Sequence, residues 1–413
     1  MGFLESVLRR FGFADKSVAW IMTCVGSVSY SFLIKGSPKG QVIPSRGLRQ
    51  GNPLSPYLFI LCTEVLSGLC QRAQENGKLP GIKVARGSPP INHLLFADDT
   101  MFFCKTNTKS CNNLKDIIER YGAASGQVIN LAKSSITFSR KLPLSVKSAT
   151  KLILGITTEG GVRKYLGLPE HFGRKKKDIF TAMVDKIRQR SHNWTSRFLS
   201  AAGKQVLLQS VLAAMPPYSM SCFKLPVSLC HRIQSILTRF WWDDNHEKKK
   251  LSWVAWDTLT LPKSEGGIGF REIEQFNDAL LARVSWKILK NPNALLSRVL
   301  LGKYCSENSF LEVPAASACS HGWRSILAGR EVLKLGFGWT VGDGTSIHVW
   351  RDPWLSTSQP LRPFGPSGEV NRNLKVSALL CLVSNEWNLA AIRLHLPQYE
   401  DIIRQLIPSS LKI

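Results

Sequence analysis

Residues 93–103 read HLLFADDTMFF: two adjacent carboxylates, Asp98 and Asp99, stand between two short apolar runs. An apolar strand, an acidic turn and a second apolar strand predict a hairpin with both acids at its tip. Neighbouring acids repel each other and lose hydration in apolar surroundings, so something cationic is expected to compensate them. Oxygen ligands suit hard cations, and Mg²⁺ characteristically binds through one or two carboxylates together with substrate phosphates. A rigid acidic tip of this kind suits nucleotidyl transfer.

Upstream, Arg46 to Pro56 (RGLRQGNPLSP) precede an apolar run from Tyr57 to Cys70 that predicts a buried helix. Glycines let backbone approach a ligand, and a helix N-terminus offers unpaired N–H groups with a partial positive charge. Arg46 and Arg49 add planar donors matched to phosphate. Alone, this also reads as a loop whose arginines are simply solvated. Its Gln50 lies 48 residues before Asp98, and that pairing makes it more specific.

The chain of 413 residues carries 54 lysines and arginines against 29 acids, a formal charge of +25. Such an excess predicts attraction to phosphate backbones or anionic surfaces and says nothing of fold. The excess is uneven: residues 1–250 hold 37 basic against 15 acidic residues, residues 251–413 hold 17 against 14. Tryptophan is skewed the other way, with Trp20 the only one before Trp194. Ten cysteines occur without a CxxC pair or zinc-like Cys/His spacing; Cys222, Cys230 and His231 come nearest to a cluster and read as buried thiols with a surface His. That usage favours a reducing compartment. No apolar run approaches the roughly 20 residues needed to span a bilayer, so no membrane association is expected. Met1 to Ser6 fit the MGxxxS acylation pattern but read equally as the start of an amphipathic helix.

Periodicity predicts helices over Gly2–Phe11 and Val18–Cys24, then a hairpin from Ser27 through the Gly36–Gly40 turn. After the acidic hairpin come a helix over Lys109–Gly122, a turn at Gly126–Asn130, a strand over Ser135–Ser139, and a strand and turn over Val162–Pro169. From Lys175 to about Trp242 the pattern is mostly helical, and a helical block continues to about Cys305. The expected organisation is an α/β domain over 1–170, a basic helical region over 171–250 and a Trp-rich part over 251–413. The run Arg174–Lys177 reads either as a solvated face or as a nucleic-acid track. Trp241, Trp242, Trp253 and Trp256 suit core packing better than base stacking.

RGLRQGNPLSPYLFILCTEVLSGL followed by HLLFADDTMFF resembles the reverse transcriptase of plant non-LTR (LINE-type) retrotransposons. The likeness continues through SGQVINLAKSSITFS, KYLGLP, AAGKQVLLQSVLAAMPPY and LPKSEGGIGF, and resumes weakly at GWRSILAGREVL and VWRDPWL. The resemblance implies a polymerase palm with an antiparallel sheet, a helical thumb and a mostly helical C-terminal extension. It implies RNA-directed DNA polymerase activity with Mg²⁺ as cofactor, an RNA template, a DNA primer and deoxynucleoside triphosphates as partners, and an intracellular, nuclear setting.

By the same resemblance Asp98 and Asp99 are the metal-binding pair, with Asp98 the more direct ligand, positioned by Phe96 and Ala97. Gln50, Gly51, Pro53 and Ser55 shape the floor beneath template base and incoming nucleotide. Lys133 falls where the family places a lysine near the nucleotide phosphates, either as proton donor or as a solvated lysine. Leu166 and Gly167 support the primer end. Phosphoryl transfer is mostly positioning and charge neutralisation, with two ions about 3.5–4 Å apart held by carboxylates of two strands. The family's other carboxylate strand precedes the segment matching Gly2 onward, and the only acids before residue 60 are Glu5 and Asp15. The expectation is therefore half a site, inactive alone. The alternatives are a non-catalytic, maturase-like RNA-binding protein and a decayed element without function.

Overall fold

The computed structural model describes residues 2–44, 47–160, 164–166, 168–169, 176–192, 199–243, 249–306, 308–356, 358–364, 373–381 and 386–409. The chain forms two compact units: Met1–Phe172 with Arg298–Glu307, and Gly173–Ser297 with Asn308–Ile413.

The first unit is organised around α3 (Ser55–Glu75), which buries Leu58, Cys62, Leu66, Cys70 and Ala73. That near four-residue spacing makes one stripe along the helix. Leu4 and Leu8 of α1 (Gly2–Arg10) and Val18 of α2 (Asp15–Gly26) close over Leu58 and Cys62. Leu114, Ile117 and Tyr121 of α4 (Thr108–Ser125) close over Leu66, Cys70 and Ala73. Asn107 caps α4 by accepting the Ser110 N–H at 2.7 Å, and Gly126 ends it at φ 73°. The predicted buried helix is thus two-faced: Tyr57 (69%) and Ile60 (52%) stand in solvent.

The strands form three separate antiparallel hairpins, β1 (Tyr30–Ile34) with β2 (Ser37–Val42), β3 (His93–Phe96) with β4 (Asp99–Phe102), and β5 (Lys164–Tyr165) with β6 (Leu168–Pro169). The expected single palm sheet is not assembled among the described residues. Each hairpin closes on a two-residue loop, whose first residue is Lys35, Ala97 or Leu166, at φ 48°, 49° and 49°. These are the only non-glycine residues with positive φ among the described ones. Two-residue loops need that conformation to match strand twist. Ser135–Ser139 makes no strand; Ile136 forms one isolated parallel bridge to Glu159. A helix absent from the sequence reading, α5 (Leu144–Leu154), ends at Gly155 with φ 68°.

In the second unit, α6 (Lys176–Ser191), α7 (Ala201–Leu207), α8 (Pro217–Cys222), α9 (Val227–Trp242), α10 (Trp256–Thr260) and α11 (Ile273–Lys290) all contribute to one core running from Phe180 to Ile273. Trp256 and Phe240 lie in that same core, so it is not divided near residue 250. Trp241 meets Phe270 edge-on at 5.2 Å and Trp256 stacks on it at 5.4 Å, while Trp253 is exposed. A further core holds Val341, Val349, Trp354, Leu379, Ile392 and Ile403. Among the described residues no helix is long and apolar enough to cross a membrane.

Candidate functional site

The pairing Phe96 with Asp99 closes the acidic hairpin, leaving Ala97 and Asp98 as its loop. With φ positive at Ala97 alone, the loop has the pattern of a II′ turn, which lifts Asp98 to the tip and starts β4 at Asp99. One side of the ladder is seated: Leu95 and Phe102 pack on the core between α3 and α4. The other side is open, with Leu94 and Phe96 exposed.

Both carboxylates are exposed. The sequence reading expected them to lose hydration beside the apolar runs. Alternation instead sends Leu95 and Phe102 inward and leaves the turn in water, so no desolvation needs compensating. No ion pair involves either acid among the described residues. The donor set fits one hard cation shared with phosphate and water: two adjacent carboxylates, neither committed to a partner among the described residues. It does not make a closed site by itself, because no cluster of three or more His, Cys, Asp or Glu suited to a metal occurs among the described residues.

The hairpin is anchored at its base by side chains that the sequence reading missed. His93 Nε2 lies 2.9 Å from Ser67 Oγ of α3, and His93 Nδ1 lies 2.6 Å from Asn92 Oδ1. Asn92, buried, donates to the carbonyls of Cys70 at 2.7 Å and Leu79 at 3.2 Å. A polar Asn-His pair opening an apolar strand was the available signal. Burial pushes the His93 pKa down, and the Glu64 carboxylate partly opposes this.

The glycine loop is a tight, self-bonded turn. Gly51 sits at φ 83°, the Asn52 side chain accepts the Leu54 N–H at 2.9 Å, and the Ser55 hydroxyl donates to the Arg49 carbonyl at 2.7 Å. Arg49, Gln50 and Pro53 are exposed. Fewer N–H groups are left unpaired at the start of α3 than a helix N-terminus ordinarily offers. Ser55 N–H is bonded to Asn52, Leu58 N–H to Leu54, and Pro56 has none. Lys133 is exposed in a turn, its N–H accepted by Asn130. Leu166 occupies the β5–β6 turn. Arg46 and Gly167 lie outside the described residues. The structure therefore unites Asp98, Asp99 and their supports on α3, and brings no hydrogen bond between them and Arg49, Gln50 or Ser55.

Residues 2–170 match the reverse transcriptase (RNA-dependent DNA polymerase) family. An uncharacterized mitochondrial protein of Arabidopsis thaliana is 44% identical over 151 residues, covering 36% of this chain and 98% of that protein. A putative ribonuclease H protein of the same plant is 34% identical over 224 residues, 53% of this chain and 36% of that protein. A retrovirus-related Pol polyprotein from the type-1 retrotransposable element R2 of Popillia japonica is 29% identical over 169 residues, 39% of this chain and 27% of that protein. The chain thus spans about a quarter to a third of the longer relatives and nearly all of the shorter one. With its acidic hairpin inside the matched segment, residues 2–170 form a domain of the reverse transcriptase family, and the relatives around it include a retrotransposon protein.

Proposed function

We propose that this chain carries part of the nucleotidyl-transfer site of an RNA-directed DNA polymerase, with residues 1–170 as its palm and the basic helices after residue 171 as a thumb. The observation that supports this most is the presentation of Asp98 and Asp99, exposed and unpaired, on a hairpin seated against the helix that the glycine loop opens. In this reading Asp98 and Asp99 hold Mg²⁺, which when bound neutralises phosphate charge and activates the attacking oxygen. Arg46 and Arg49 bind phosphate. Gln50, Gly51, Pro53 and Ser55 form the floor under template base and nucleotide. Lys133 faces the leaving phosphates, and Leu166 with Gly167 supports the primer. RNA template, DNA primer and deoxynucleoside triphosphates are the partners.

The test is Mn²⁺ binding to the full chain with template–primer and nucleotide present, followed by paramagnetic resonance, for the wild type and Asp98→Ala. The substitution is expected to weaken binding on the order of tenfold or more. Equal affinity in the two proteins rejects the assigned site.

A second reading, a non-catalytic RNA-binding protein, is favoured by the +25 charge and by the lack of a third ligand near the acids among the described residues. It predicts RNA binding that falls steeply with salt and ignores Asp98→Ala. RNA affinity that depends on Asp98 and Mg²⁺ together rejects it.

A further inference from the structure

The Ser67–His93–Asn92 chain has a determinate direction. Both Asn92 Nδ2 contacts are to carbonyls, so its Oδ1 faces His93 and can only accept. His93 Nδ1 therefore carries the proton. In the neutral ring Nε2 is left to accept from the Ser67 hydroxyl. The ring thus ties β3 to the middle of α3 on one side, and to the Cys70 and Leu79 carbonyls through Asn92 on the other.

The order Ser–His–Asn is also that of a hydrolase triad. Ser67 lies in mid-helix, where neighbouring N–H groups are committed to the helix ladder, so no oxyanion donors face it. The chain serves geometry instead. A hairpin of four residues per strand is marginal alone. Its apolar seat, Leu95 and Phe102, is non-directional and leaves the angle of the tip loosely set. Hydrogen bonds are directional, and a carboxylate pair that binds a cation needs placement within about 0.5 Å.

We propose that His93 is the positioning residue of the acidic pair: bonded to Ser67 and Asn92, it fixes the angle at which the hairpin presents Asp98 and Asp99. This rests on the reading of the pair given above.

The experiment uses the full chain and two variants. His93→Phe keeps a planar ring and loses both nitrogens; Ser67→Ala removes one hydroxyl and carries the test if the first variant fails to fold. Residue-resolved hydrogen exchange is followed at Leu94 and Met101, which pair across the hairpin, with α4 as internal reference. Mn²⁺ affinity is measured in parallel. Ser67→Ala is expected to speed hairpin exchange about tenfold and His93→Phe by more, with α4 unchanged, the signature of one and of two lost hydrogen bonds. Mn²⁺ affinity is expected to fall on the order of tenfold, as for loss of an outer-shell support. Unchanged hairpin exchange in both variants overturns the proposal, as does unchanged Mn²⁺ affinity where Asp98→Ala weakens binding. If Asp98→Ala leaves Mn²⁺ affinity intact while hairpin exchange still responds to His93→Phe, the metal reading fails and the anchoring of the hairpin by His93 stands.

Discussion

Gly302 lies so close to Gly87 that a Cβ on Gly302 would come within 2.3 Å of the Gly87 carbonyl oxygen, and one on Gly87 within 2.6 Å of the Gly302 carbonyl oxygen. Beside this contact Ser88 donates its hydroxyl to the Val299 carbonyl at 2.8 Å. Residues Arg298–Glu307 belong to the first unit although they lie far beyond the segment matched to the family. Gly302→Ala is therefore expected to destabilise that unit by about 2 kcal/mol, because backbone on both sides must separate. Urea unfolding followed by exchange in the 82–92 loop checks it; an unchanged midpoint would show that the two backbones part freely.

Ala97 holds φ 49° where a two-residue loop favours glycine. Ala97→Gly relieves a left-handed strain of roughly 1–2 kcal/mol and returns part of it as unfolded-chain entropy, for a net gain of about 0.5 kcal/mol. A β-branched side chain fits this conformation worst, so Ala97→Val is expected to cost about 2 kcal/mol. The ranking Gly, Ala, Val in hairpin protection is the observable, and a reversed order would reject the assigned turn.

Legibility followed how local the cause was. The acidic hairpin and its turn were readable because apolar–acidic–apolar alternation and a two-residue loop act within a dozen residues. Pro143 and Gly155 mark both ends of α5, so that helix too has a local cause in the sequence. The exposed face of α3 was hidden because Tyr57 to Cys70 is apolar nearly throughout, and only the packing of α1 and α4 selects the buried stripe. Ser135–Ser139 has strand chemistry but only one bridge partner, Glu159, which no local pattern reveals. Ser67 and His93 meet across 26 residues, so their bond could be found only from the fold.

The lowered pKa of His93 has a definite sign in stability. In the unfolded chain the ring titrates near 6.5, and above that pH both states are neutral. As pH falls below about 6.5 the unfolded chain takes up a proton that the buried ring resists. Stability then drops, levelling once pH passes below the folded value. Glu64 is the charged group acting on the ring, and it limits the effect. Acids held low by ion pairs, such as Glu159 beside Lys151 and Lys147, act in a separate window below about 4.5. The thermal midpoint of the wild type is expected to fall between pH 7 and pH 5.5, more steeply in Glu64→Gln and less in His93→Phe. Parallel slopes in all three would remove His93 as the cause.

Asn277 of α11 is fully buried and serves three backbone groups of the second unit. Its Oδ1 accepts the Leu225 N–H at 2.8 Å, and its Nδ2 donates to the Met220 and Phe223 carbonyls at 2.7 and 3.0 Å. The short helix Pro217–Cys222 ends here and its ladder does not continue over these groups, so the amide substitutes for one. Asn277→Leu keeps the branching and the number of heavy atoms but orphans all three groups, at about 1–3 kcal/mol for each left unsatisfied, and is expected to cost at least about 3 kcal/mol. Asn277→Asp keeps the acceptor for Leu225 but sets a charge against two carbonyls. Its penalty is expected to be largest at neutral pH and to shrink in acid, where a protonated carboxyl regains one donor. Urea midpoints of the two variants at pH 7 and pH 5 separate these causes. If Asn277→Asp is no better at the lower pH, the donors to Met220 and Phe223 are not what makes Asn277 necessary.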